Sequence, residues 1–190
     1  MAKNASTSSP PSRPGQTRRY RRLAAVARLT PFHVTVQETD LWLQAETDLS
    51  SVVREEVLLQ RGYIEQYIRQ FPAFRTALAP WEDAGPAPDI VRRMISAGRA
   101  AGVGPMAAVA GAIAEAVGET LQRFSQELVV ENGGDIFMML EEEVTIGLFA
   151  GRSPLSMRVG LRVHPTGAPL GVCTSSGTVG HSRSFGKADA

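Results

Sequence analysis

The stretch Glu127-Leu-Val-Val-Glu-Asn-Gly-Gly-Asp-Ile-Phe-Met-Met-Leu140 decides the fold. Its two apolar runs read as strands over Glu127–Glu131 and Asp135–Leu140, with the turn-forming Asn132-Gly133-Gly134 between them. The turn itself admits two readings. Asn-Gly is the strongest short hairpin signal. Equally, Gly133 and Gly134 permit close backbone approach, while Asn132 and Asp135 offer polar groups to a ligand. Three more strand-like segments follow with short connections, Val144–Ala150, Leu155–Val163 and Leu170–Thr174. Strands in a row after helices imply an α+β fold, a largely antiparallel sheet with packed helices in a single domain.

Working back from that stretch, Met106 to Phe124 is dense in Ala and Gly, which predicts a helix lying close on the sheet. Gly102-Val-Gly-Pro-Met-Ala107 precedes it and fits the loose pattern G-x-G-x-x-A. That fingerprint requires a preceding strand, whereas Asp89 to Ala101 has helical spacing with Asp89 as its cap, so a Rossmann reading fails. Two readings remain for Gly104, Pro105 and Met106: an anion site at a helix start, or a simple helix–helix turn. Residues 72–88 hold four prolines and a glycine and read as a loop. Leu49 to Ile68 has helical spacing with Asp48 or Ser50 as its cap. Phe32–Gln37 and Leu41–Leu43 alternate as a hairpin.

The chain has 190 residues, 43% of them hydrophobic and 21% charged, ordinary values for a globular domain. No apolar run approaches the roughly 20 residues of a membrane span. Residues 1–37 carry seven basic side chains and no acidic one, so the net charge of +1 hides an acidic remainder. Residues 1–19 read as a disordered, solubilising basic tail. The acidic body lacks a broad phosphate-binding face, which argues against nucleic acid. The arm holds Arg18-Arg19 but no clean apolar segment follows, because Arg28 and Pro31 interrupt it; the expected location is the cytoplasm.

Cys173-Thr-Ser-Ser-Gly-Thr-Val-Gly-His-Ser182 is the most unusual segment. Its hydroxyls, glycines and His181 suit phosphate or a polar ring. It is no P-loop, and no elbow motif frames Cys173 or Ser176 as a nucleophile with His181 as base. His33, His164 and His181 are scattered, and one cysteine excludes the common structural zinc sites. Asp135 and Asp189 could serve a hard cation. Glu141-Glu142-Glu143 reads as a solvated hairpin tip.

In ETDLW (38–42), GVGPMAAVAGAIAE (102–115), VENGGDI (130–136), IGLFAGRSPL (146–155) and GVCTSSGTVGHSRSFGKADA (171–190), the chain resembles the ApbE-like superfamily, specifically its short branch related to the FAD:protein FMN transferases. The resemblance covers residues 20–190. It implies an ApbE-like domain lacking a C-terminal strand and helix, and a flavin or related nucleotide as ligand, with FAD and Mg2+ as cofactors. It implies a cleft lined by Gly104, Pro105, Met106, Asn132, Gly133, Gly134, Asp135, Thr174, Ser175, Ser176, Gly177 and His181. Asp189, in Ala188-Asp189-Ala190, falls where the transferases bind metal. The activity implied is metal-assisted pyrophosphate cleavage or FMN transfer. The chain departs from the transferases in having no Asp-Pro after His181, which opens the alternative of a non-catalytic ligand-binding or sensory protein. The expected partner is a small-molecule nucleotide, without a membrane; a homodimer is allowed.

Overall fold

The computed structural model describes residues 26–82, 85–148 and 153–173. The chain opens with the hairpin β1 (Thr30–Val36) and β2 (Thr39–Ala45), then three helices, α1 (Ser50–Gln70), α2 (Asp89–Ala101) and α3 (Val109–Leu121). Five strands follow: β3 (Leu128–Asn132), β4 (Asp135–Met139), β5 (Val144–Gly147), β6 (Gly160–Val163) and β7 (Leu170–Val172). The main sheet has the order β1-β2-β3-β4-β7 with every described pairing antiparallel, and β5 pairs with β6 as a separate ribbon. The expected α+β class is what forms.

Period-2 alternation puts Phe32, Val34, Leu41, Leu43, Leu128, Val130 and Phe137 on one face of the sheet. There they meet Val53, Val57, Met94, Ile113, Val117 and Leu121 from the helices in one buried cluster. Helix α3 lies on β3 and β4, α1 on β1, and α2 against both helices. The small residues of α3 do allow close packing: a Cβ on Gly118 would come within 2.9 Å of Phe137 Cγ. Burying this layer is the main favourable term in folding.

Several boundaries differ from the sequence reading, each for a local reason. The expected helix Met106–Phe124 is a 3-10 turn over Pro105–Ala108 followed by α3. It stops at Leu121 because the chain turns there to bring the Ser125 hydroxyl to the Glu46 amide, 3.0 Å away. The expected strand Leu155–Val163 is extended only over Gly160–Val163. Met157 sits at φ 57 and donates its N–H to the Leu148 carbonyl, folding Ser153–Arg158 into turns. Pro88 occupies the cap position of α2; Asp89 is its first helical residue and accepts from Arg92 and Arg93. Leu49 is the cap residue of α1, and Asp48 accepts the Ser50 amide at 2.8 Å. The proline-rich loop is anchored by Phe74, which is fully buried in edge contact with Tyr67 and Trp81 at ring distances of 4.9 and 5.4 Å.

Candidate functional site

Asn132 and Asp135 are register partners, so Gly133 and Gly134 form a two-residue hairpin turn. Their φ values of 66° and 109° are the left-handed conformations that such a turn demands and that glycine adopts freely. The hairpin reading of this motif is therefore the local structure. Its tip is also docked onto a helix. Asn132 Nδ2 donates to the Ala110 carbonyl at 3.0 Å. Asp135 accepts a hydrogen bond from the Gly111 N–H.

Gly111 is the third residue of α3, whose cap position is Ala108 with no side-chain cap. The first N–H groups of a helix have no intrahelical partner. Asp135 supplies one from a strand close in space, and it places a carboxylate at the positive end of the helix dipole. Burial nevertheless pushes the Asp135 carboxyl above its ordinary value, with the Glu131 carboxylate adding to the effect and the Gly111 N–H opposing it. Glu131 is itself buried, 4% exposed, and accepts the Gly134 N–H at 2.8 Å. Two carboxylates thus flank one glycine turn. A Cβ built on Gly133 would meet nothing within 4 Å, so the tip faces open space.

Sequence reasoning missed Glu131 and Gly111. Glu131 looked like an ordinary strand residue, although an acid in an otherwise apolar strand, directly before a glycine turn, was the available signal. Gly111 was hidden in a run of small residues.

The second expected segment is built differently. Gly102, at φ 69, ends α2 with a Schellman motif: its N–H bonds the Arg99 carbonyl, and the Val103 N–H bonds that of Gly98. Gly104 donates its N–H to the Leu78 carbonyl at 2.9 Å. A Cβ there would lie 2.6 Å from the Ala77 carbonyl carbon and nearer still to its oxygen. The smallness of Gly104 and its amide are both used by the loop over α2. Pro105 is buried and Met106 half-buried in the turn leading into α3. They sit immediately before the helical turn that the hairpin touches.

The third expected segment begins at the same end of the sheet. Val172 pairs with Ile136, next to Asp135, and the chain continues through the exposed Cys173. Thr174, Ser175, Ser176, Gly177, His181 and Asp189 lie outside the described residues, as do residues 1–25.

Among the described residues no group of three or more His, Cys, Asp or Glu could hold a metal ion. His33 pairs with Asp40 on the exposed face of the first hairpin, and His164 with Glu143 at 2.9 Å beside β6. Of the three neighbouring acids, Glu141 to Glu143, all are exposed; Glu142 pairs with Arg28 and Glu143 with Arg162. Arg28 also forks onto Glu127, which holds the Glu127 carboxyl below its ordinary value. A cleft of about 200 Å³ between α1, α2 and α3 includes Tyr63, Arg93, Thr120 and Arg123 in its lining, and none of the expected site residues. Arg93 is engaged there by Asp89, Glu115 and Glu119. Among the described residues no single helix is long and apolar enough to cross a membrane.

A protein family described as "AbpE bacteria" matches residues 21–190. The chain is similar to proteins named "UPF0280 protein" from three organisms. It is 42% identical to that of Methanococcus aeolicus over 161 residues, covering 83% of this chain and 65% of the relative. It is 39% identical to that of Methanococcoides burtonii over 160 residues, covering 83% and 67%. It is 43% identical to that of Methanocella arvoryzae over 156 residues, covering 82% and 63%. The chain thus spans about two thirds of the length of these curated relatives.

Proposed function

The chain belongs to the family described as "AbpE bacteria", and we propose that it binds a flavin or related nucleotide at the hairpin end of its sheet. The observation that carries this reading is the docking of the 132–135 turn on the first turn of α3 through Asp135 and Asn132. That arrangement fixes an acceptor carboxylate beside the backbone groups of an open glycine turn. Such a set suits a ring edge presenting N–H and C=O groups, as a flavin does, because directional polar groups on rigid elements orient a ligand. Cys173 brings the covalent chain to the same end of the sheet. The hydroxyl-rich segment Thr174–His181 follows it directly in sequence and is the proposed source of contacts to phosphate.

A divalent ion such as Mg2+ fits as a companion of the nucleotide. Mg2+ is commonly held by one or two carboxylates together with substrate phosphates, and Asp135 supplies one, Asp189 being a further candidate. When bound, the ion would act as a Lewis acid on bridging oxygens, the chemistry of pyrophosphate cleavage or FMN transfer. The protein's own contribution is orientation. The Gly111 N–H holds Asp135, and Glu131 holds the turn through Gly134. The proposed setting is the cytoplasm.

Calorimetric titration with FAD, FMN and ATP, with and without Mg2+, tests the reading. Micromolar FAD binding, about −8 kcal/mol, weakened about tenfold by Asp135→Asn through loss of a charged acceptor, is the expected result. Equal affinities in the two proteins would remove the hairpin as the site. Binding without hydrolysis of FAD, in the presence of metal, would leave a ligand-binding protein rather than an enzyme.

A further inference from the structure

Helix α1 has two unlike faces. Val53, Val57, Ile64 and Tyr67 are buried against the sheet and the neighbouring helices. On the opposite side, at heptad-like spacing, stand Glu55, Leu58, Gly62 and Arg69, flanked by Leu59 and Gln66. Leu58 and Leu59 are 52% and 48% exposed. Gly62 lies in the middle of this 21-residue helix, and a Cβ there would meet nothing within 4 Å. A glycine inside a helix weakens it, and nothing among the described residues needs the absence of a side chain here.

The charges complete the pattern. Glu55 and Arg69 lie seven residues before and after Gly62, about 10 Å along the axis in each direction. Neither has an ion-pair partner among the described residues, while Arg61 and Glu65 on the flank of the same helix do. A helix with an acid at one end, a base at the other and glycine midway is complementary to itself when crossed antiparallel about a two-fold axis. In an isologous interface each contact occurs twice.

We propose that the outer face of α1 is a dimer interface with a second copy of this chain, crossing at Gly62. Glu55 then faces Arg69 of the partner subunit, reciprocally, and the exposed leucines cover the crossing point. Gly62 permits axes nearer than the usual 8–10 Å.

The test is sedimentation velocity of the full chain over a concentration series, with a charge-swap pair. The wild type is expected to be a dimer at micromolar concentration. Glu55→Arg and Arg69→Glu alone should each weaken dimerisation about tenfold, by placing like charges opposite one another twice per dimer. The double variant Glu55→Arg/Arg69→Glu should restore it. Gly62→Leu should abolish the dimer while leaving the circular dichroism of the fold intact. A monomeric wild type at high concentration overturns the proposal. So does a dimer that is indifferent to Gly62→Leu, or a double variant no tighter than its single parents.

Discussion

Replacing Gly104 by alanine separates a packing role from a ligand-binding one. Its φ of −69° suits alanine, so no backbone strain arises from the substitution itself. The new Cβ would stand 2.6 Å from the Ala77 carbonyl carbon, about 1 Å inside normal contact. The obstacle is backbone, so relief requires moving the 77–78 segment away and losing or stretching the Gly104 N–H bond to Leu78. Overpacking of this kind costs about 1–3 kcal/mol, and a hydrogen bond contributes about 1 kcal/mol net. Together they predict a loss of about 2–4 kcal/mol. For a chain of this length that corresponds to a fall in Tm of about 5–15 °C. Thermal unfolding followed by circular dichroism measures the loss, and calorimetry well below Tm measures ligand affinity, which should be unchanged. An unaltered Tm accompanied by weakened nucleotide binding would refute the reasoning and return Gly104 to the role of phosphate cradle.

Asp135 carries a raised pKa, so between its ordinary and its folded value the native state holds more protons than the unfolded chain. Its contribution therefore falls as pH rises through that window. Wild-type stability minus that of Asp135→Asn, measured by urea titration at successive pH values, should decline from acid towards neutral pH; a rising difference would contradict the assignment. Arg28→Ala should leave the buried Glu127 carboxylate without its fork and cost about 1–2 kcal/mol near neutral pH; since the Glu127 pKa is lowered chiefly by Arg28, the deficit relative to wild type should shrink as pH falls through the carboxylate range. Wild-type stability of that variant at neutral pH, or a deficit that does not change on acidification, would show that the pair is idle. Phe74→Ala should cost about 3–5 kcal/mol by urea denaturation, because the ring is fully buried between Tyr67 and Trp81. A loss below about 1 kcal/mol would mean that the 72–82 segment does not depend on that anchor.

The strands on either side of Asn132–Asp135 were legible because period-2 burial and an Asn-Gly-Gly-Asp turn act locally. The same locality explains the helices: their apolar spacing and the Gly102-Val-Gly-Pro break lie within a few residues of one another. What sequence could not convey was long-range. Gly104 reads alike whether a phosphate or the Ala77 backbone approaches it, and only the tertiary fold brings residue 77 there. Asp135 caps a helix that begins 26 residues earlier in the chain, at Val109. Nothing near Asp135 in sequence signals that helix. Leu155–Val163 was over-read as one strand because its apolar residues have β propensity, whereas the Met157 N–H bond to Leu148 turns the chain instead. Glu131 was read only as the end of a strand; the sheet encloses it and gives it the Gly134 amide.

The most direct test of the central claim is a map of backbone amide shifts on adding FAD and Mg2+ to the isotope-labelled full chain. The account predicts the largest changes at Gly111, Gly133, Gly134 and Asp135, with Gly104 near the average. Changes centred on the helical cleft around Tyr63 and Arg93, or none at saturating nucleotide, would contradict it.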